Sequence, residues 1–118
     1  MKNKIFGKKG EEIALEFLEK KGYKIVEKNW YYHHKEIDII ALDNNELVIV
    51  EVKMRKTNYF GEPYEFVDKK KQMYLIEAAN GYLIENNLDL PVRFDVISIV
   101  MQKNNITNIY HILDAFAP

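Results

Sequence analysis

The sequence predicts an α/β fold, a mixed β-sheet flanked by helices with the element order α-β-β-β-α-β-β. Three observations carry this expectation. Two stretches of helical periodicity, residues 5–21 and 67–87, bracket three β-type runs, and two more runs follow the second. Asp43-Asn44-Asn45-Glu46 is a hairpin turn signal, so the runs on either side of it should be antiparallel. The run 47–53, Leu-Val-Ile-Val-Glu-Val-Lys, is apolar on both faces until its last residues, as expected of a central strand with a layer on each side.

Each element has its own signal. In the first helix Phe6, Ile13, Ala14, Phe17 and Leu18 recur at helical spacing, and Gly22 follows as a stop. Gly7, Gly10 and Ala14 form a small-residue track on nearly the same face. Because glycine costs up to about 1 kcal/mol in a helix interior, the track implies close approach, of the sheet or of a phosphate backbone, with helix-to-sheet packing favoured. Residues 23–28 are a short β-type run; 36–42 and 47–53 are stronger ones, dense in Ile and Val. A loop with Gly61 and Pro63 leads into the second helix, whose Met73, Ile76, Ala79 and Leu83 share a face. Residues 92–100 form a strand, and 106–112 the last one before an apolar tail ending in Pro118. A crossover through the second helix makes strand 92–100 parallel to 47–53.

With 118 residues, 47% of them hydrophobic, the chain fits a single domain, 1–118, around one core. It has no cysteine, which excludes disulfides, thiolate metal sites and a Cys nucleophile, and fits a reducing compartment. No apolar run approaches the roughly 18–20 residues of a membrane span, and the lysine-rich start lacks a secretory signal's apolar segment. The expectation is a cytoplasmic protein without a membrane partner. The net charge of −1 ordinarily argues against a nucleic-acid partner. Its distribution is uneven, however: residues 1–71 hold 15 of the 17 basic and 13 of the 18 acidic residues. What matters is whether some of those acids are buried.

Two of them should be. Glu51 interrupts the apolar central run, and a two-residue turn at Asn44-Asn45 places Asp38 directly opposite Glu51 and Glu36 opposite Lys53. Opposed side chains lie about 4.5–5.5 Å apart at Cβ, and like charges there destabilise a sheet. A hard divalent cation offsets the repulsion, because Mg²⁺ or Mn²⁺ takes carboxylate and backbone oxygens and keeps waters as its other ligands. The alternative is a Glu36–Lys53 pair with Asp38 and Glu51 at a solvated sheet edge. Glu51-Val52-Lys53 also puts a lysine on the face of its glutamate. Glu11 is a further, weaker candidate, since it borders the apolar stripe of the first helix while Glu12 points about 100° away toward solvent.

Glu36-Ile37-Asp38, a hairpin, then Glu51-Val52-Lys53 resembles the PD-(D/E)xK signature of many restriction endonucleases and archaeal Holliday-junction resolvases. The resemblance extends along nearly the whole chain and is closest to the YraN-type family of small bacterial proteins. It rests on Gly7-x-x-Gly10-Glu11 with Ala14, Gly22-Tyr23, Asn29-Trp30, Glu36-Ile37-Asp38-Ile39-Ile40-Ala41, Val50-Glu51-Val52-Lys53 with Arg55, the helix of Lys70 and Ala78, and Arg93-Phe94-Asp95-Val96. It implies a restriction-endonuclease-like fold, Asp38 and Glu51 as metal ligands, Lys53 as the active-site lysine, and Glu11 as the helix glutamate of the resolvase-like branch. Lys35 stands where the family usually has Gly, and Ile37 replaces the signature's proline.

The implied activity is a metal-dependent hydrolysis of DNA phosphodiesters, on branched, flapped or single-stranded substrates. Asp38, Glu51 and the Val52 carbonyl would hold Mg²⁺ or Mn²⁺, and Lys53 would position or deprotonate a water or stabilise the phosphate. Arg55, Lys70 and Lys35 are candidate phosphate contacts, each with a salt bridge or a solvated face as its alternative. Arg93 and Asp95 share a strand face and would simply pair. His33 and His34, near Trp30-Tyr31-Tyr32, read as loop histidines without the i, i+4 spacing of a zinc site on a helix, and the three aromatics either stack on unpaired bases or, for Trp30, enter the core. Two further readings stay open, a non-catalytic nucleic-acid-binding protein on the same fold and an interaction protein whose acids form salt bridges. A chain this short has little room for a base-reading domain, and a homodimer would supply the missing surface.

Overall fold

A computed structural model describes residues 2–56, 67–102 and 107–118, with side chains from Lys8 onward. Phe6, Gly7, and the loop glycine and proline at 61 and 63 lie outside the described residues or side chains. Helix α1 (Lys2–Lys20) is followed by strands β1 (Lys24–Tyr32), β2 (Lys35–Asp43) and β3 (Glu46–Lys56), helix α2 (Lys69–Glu85), and strands β4 (Val92–Met101) and β5 (Thr107–Phe116). The sheet runs β1-β2-β3-β4-β5. Consecutive strands pair antiparallel except β3 and β4, which are parallel because α2 carries the chain back across the sheet. The predicted mixed sheet and element order are therefore observed.

Helix α1 ends as Gly22 suggested. Gly22 takes φ +93, its N–H donates to the Glu19 carbonyl, and the Tyr23 N–H donates to that of Leu18 at 3.0 Å. This pairing satisfies two carbonyls at the helix end and buries Tyr23 beside Leu18. Gly10 is packed on β3, where a Cβ would come within 3.0 Å of Met54. Its small size thus serves helix-to-sheet packing.

Strand β3 is covered on both faces. Leu47 and Ile49 join the α2 layer with Leu75, Ala78, Ala79 and Tyr82; Val48 and Val50 join the α1 layer with Ala14 and Leu18. Three expectations need correction. The face of α2 that enters the core is Leu75, Ala78, Ala79 and Tyr82, whereas Met73 is 68% exposed. Apolar residues surround this helix, so periodicity alone does not pick the stripe, and the tight i, i+3, i+4, i+7 set wins by fitting closest to the sheet. The first β-type run, read as 23–28, is longer: β1 runs on to Tyr32, and His33-His34 form the expected loop as a turn, with His33 at φ 57. A register shift between Ile25 and Glu27 breaks the alternation that would have revealed this strand. Finally, β5 continues to Phe116, which stacks on Phe94 with centroids 4.9 Å apart. Among the described residues, no helix is long and apolar enough to cross a membrane.

Candidate active site

The site begins where a ladder stops. Asn44, at φ 57, turns the β2–β3 hairpin, Asp43 pairs with Glu46, and pairing continues to Ile39 opposite Val50. The next pair would be Asp38 and Glu51, but the backbone ladder ends one step short of it. There the Val52 N–H donates instead to Asp38 Oδ2, at 2.9 Å. The side chain thus replaces a main-chain acceptor in the fork between the strands.

The same step interrupts the pleat. Ile37 and Ile39, two apart on one strand, should face the same side of the sheet. Yet Ile39 packs in the α1 layer and Ile37 in the α2 layer. The strand therefore rolls across Asp38. Opposite it in β1 lies Asn29, between the pairs Lys28–Ile39 and Trp30–Ile37, and Asn29 takes φ 47. Asparagine tolerates that left-handed conformation better than most residues. Its amide donates to Glu11 Oε1 at 2.8 Å and to Glu36 Oε2 at 3.0 Å, tying α1 to the start of β2.

Four carboxylates are brought near one another in this way. Burial pushes the Asp38 carboxyl up to about 7, and Glu51 pushes in the same direction; the Val52 N–H opposes them, while Glu11 and Glu36 add further repulsion. Glu51 is only 7% exposed, and its Oε2 lies 3.6 Å from the Lys71 ammonium. Lys53 shares the face of Glu51 by strand alternation, is half-buried, and lies opposite Ser98 of β4. Glu36 accepts from Asn29 through Oε2. Glu11 is half-buried and Glu12 exposed, as the stripe on α1 suggested.

The candidate phosphate contacts are placed differently from one another. Lys70 is exposed on the first turn of α2, and it is Lys71 that reaches the acids. Lys35 opens β2, 3.7 Å from Glu77 and with its ammonium 5.8 Å from the Tyr74 ring centroid. Arg55 is half-buried on β3, opposite Val100. Sequence reasoning missed Asn29 as a bridge, Lys71 as the lysine facing Glu51, and Tyr74. The Tyr74 ring carries Lys71 at 4.5 Å, and its hydroxyl accepts the Glu36 N–H at 2.6 Å. Asn29 had one usable signal, a polar residue of left-handed tendency inside a β-type run. Lys71 had one too, since an N-cap at Asp68, whose carboxylate accepts the Lys71 N–H, fixes which helix position turns back to the sheet.

A divalent cation can be tested against this donor set. Among the described residues, no three Asp, Glu or His side chains are close enough to hold an ion by themselves. Asp38 and Glu51 are, however, two mutually repelling carboxylates, and Mg²⁺ commonly uses only one or two carboxylates and keeps several waters. The pair fits that chemistry, with waters as the other ligands. Glu11, engaged with Asn29, is a neighbour of this set.

The family model described as "Uncharacterised protein family UPF0102" matches residues 10–99, from the start of the Glu11 region to the end of the β4 core. The chain belongs to family UPF0102. It is 49% identical to a UPF0102 protein of Flavobacterium psychrophilum over 93% of this chain and 92% of that one. It is 47% identical to one of Phocaeicola vulgatus over 96% and 93% of the two chains. A UPF0102 protein of Persephonella marina is 46% identical over 95% and 93%. Asp38, Glu51, Lys53 and Lys71 all fall inside the UPF0102 match.

Proposed function

We propose that this UPF0102 protein is a divalent-cation-dependent nuclease of the PD-(D/E)xK type that hydrolyses phosphodiester bonds of DNA. One observation carries the reading: Asp38 stands in the β2–β3 fork against Glu51, destabilised enough as a carboxylate to be pushed up to about 7. Like charges in a poorly solvated cleft are costly to folding, and such perturbed groups cluster at functional sites.

Asp38, Glu51 and the Val52 carbonyl would hold Mg²⁺ or Mn²⁺. Such an ion, when bound, acidifies a water and stabilises the charge added to a pentacovalent phosphate. The Val52 N–H fixes one oxygen of Asp38 and leaves the other for binding. Lys53, on the Glu51 face, supplies a positive charge to a phosphate oxygen or to the attacking water. Lys71 and Lys35, gathered at the Tyr74 ring, add cations beside the acids for the flanking phosphates. Asn29 keeps Glu11 and Glu36 in place at the cleft edge.

The 3.6 Å contact between Lys71 and Glu51 favours a second reading, a nucleic-acid-binding protein whose acids are balanced by lysines. Purified protein incubated with duplex, single-stranded, flap and four-way-junction DNA, with Mg²⁺ or Mn²⁺, separates the two. Cleavage that Asp38→Asn, Glu51→Gln and Lys53→Ala each abolish without unfolding the protein supports the nuclease. Binding of these DNAs with no cut, or variants as active as the parent, supports the binder.

A further inference from the structure

Strand β1 carries three consecutive aromatics with different fates. Trp30 meets Tyr82 edge-on with centroids 5.0 Å apart, and the Tyr32 ring covers Gly81 so closely that a methyl group there would overlap it. Both are absorbed by the α2 layer. Tyr31, between them, points to the other face and is 61% exposed. It joins neither core cluster.

Its surroundings are specific. Tyr31 is paired in register with Glu36, whose carboxylate shares the Asn29 amide with Glu11. The phenol is raised above its ordinary value by Glu36 first and by Glu11 among other causes, so the hydroxyl end faces the acids. Lys35, one residue before Glu36, is paired with Tyr32 across the same hairpin and provides a cation at this edge. An exposed ring beside Glu36 and Glu11, the acids that crowd Asp38 at the cleft edge, has a natural counterpart in a nucleic acid, the base of a nucleotide whose phosphate enters that cleft. Inside a duplex both faces of each base are covered by its neighbours. Only an unpaired base offers a free face.

We propose that Tyr31 stacks on an unpaired nucleobase at the edge of the Asp38–Glu51 cleft, where a cation on those acids would hold the adjoining phosphate, which makes DNA with single-stranded nucleotides at the cut the substrate class. The inference rests on the nuclease reading for the position of the phosphate. Continuous duplex lacks the free base face, and sequence preference is weak because every base has one.

The test uses the full chain and oligonucleotides carrying 2-aminopurine in a flap, in a single strand and in continuous duplex. Affinity and fluorescence quenching are read with Ca²⁺, and cleavage with Mg²⁺ or Mn²⁺. The parent should prefer flap or single strand and quench the probe there. Tyr31→Ala should lower the flap-to-duplex affinity ratio about tenfold and remove the quenching, and Tyr31→Trp should restore both. Circular dichroism checks that each variant is folded. A parent without preference for unpaired DNA, or a Tyr31→Ala ratio and quench equal to the parent's, overturns the proposal. Quenching lost in Tyr31→Ala while no DNA is cut leaves stacking in place and removes the nuclease reading; cleavage with an unchanged ratio does the reverse.

Discussion

Asp38 and Asp95 perform the same local task at two places in one sheet. Each carboxylate accepts a backbone N–H where a neighbouring strand is irregular: Asp38 that of Val52 at 2.9 Å, Asp95 that of Asp114 at 3.0 Å, where Asp114 takes φ 53 beside a register shift. Their electrostatics are opposite. Around Asp95, Arg93 binds bidentately at 2.9 and 3.0 Å, and His111 Nε2 lies 2.7 Å away. Arg93 is itself shared with Asp43, Glu46 and the Tyr23 hydroxyl. Burial pushes Asp95 up, yet His111, Arg93 and the Asp114 N–H outweigh it and hold the carboxyl below its ordinary value. Around Asp38 the charged neighbours are carboxylates, and the single Val52 N–H does not outweigh burial and their repulsion. A buried acid with cationic partners on its oxygens is a structural element. One facing other acids carries an electrostatic cost that the fold leaves in place.

Asp95→Ala should have the largest effect of this contrast, costing about 3–5 kcal/mol by leaving a largely buried Arg93 without its bidentate partner. Urea denaturation measures it, and a loss under about 1 kcal/mol would erase the distinction between the two aspartates. Asp38→Asn should lower cleavage by at least about 10²–10³-fold, the scale of removing one transition-state charge stabiliser, while the protein stays folded. Substrate conversion followed beside circular dichroism tests both halves.

The pH dependence of stability separates the pair next. Asp38 is held up at about 7 against an ordinary 3.8, so between those values the unfolded chain has lost a proton that the native state keeps. In cation-free buffer, stability should therefore fall as pH rises through this window, by on the order of 2–4 kcal/mol. Asp38→Asn should flatten that fall, and Mg²⁺ should raise the melting temperature of the parent at pH 8 but not of the variant. Asp95 has the other sign, its contribution being lost only as pH drops below the ordinary carboxyl range. Thermal melts from pH 3 to 9 show whether the slopes oppose each other. The smallest effect belongs to Lys71→Met. Its pair with Glu51 is part-exposed and worth less than about 1 kcal/mol. The salt dependence of DNA affinity should nevertheless weaken by about one phosphate contact, as a binding titration over NaCl concentration would show.

The hairpin and its register were legible because they are local. Asn44-Asn45 sets a two-residue turn, and counting outward from it gives the observed pairs as far as Ile39 and Val50, one step short of Asp38 and Glu51. The double covering of β3 was legible for a similar reason, since an unbroken apolar run has no face to expose to water. Less legible were β1 beyond Lys28 and the buried face of α2. The first is hidden by a shift in register and a left-handed Asn29, the second by apolar residues all round the helix. Of the Arg93–Asp95 network, only the pair on one strand could be read; Tyr23, Asp43, Glu46 and His111 come from other elements.

By itself, then, the sequence determined the element order, the hairpin register near its turn and the presence of Asp38, Glu51 and Lys53 on the two hairpin strands, all consequences of short-range periodicity and turn chemistry. Tertiary structure decided which of the acids are left facing each other. It ended the β2–β3 ladder at Asp38, rolled Ile37 to the opposite face, brought Asn29 across to Glu11 and Glu36, and chose Lys71 from three consecutive lysines. Whether a carboxylate is compensated depends on groups that meet it in space, and the charge of a cleft is a sum over elements far apart in the chain.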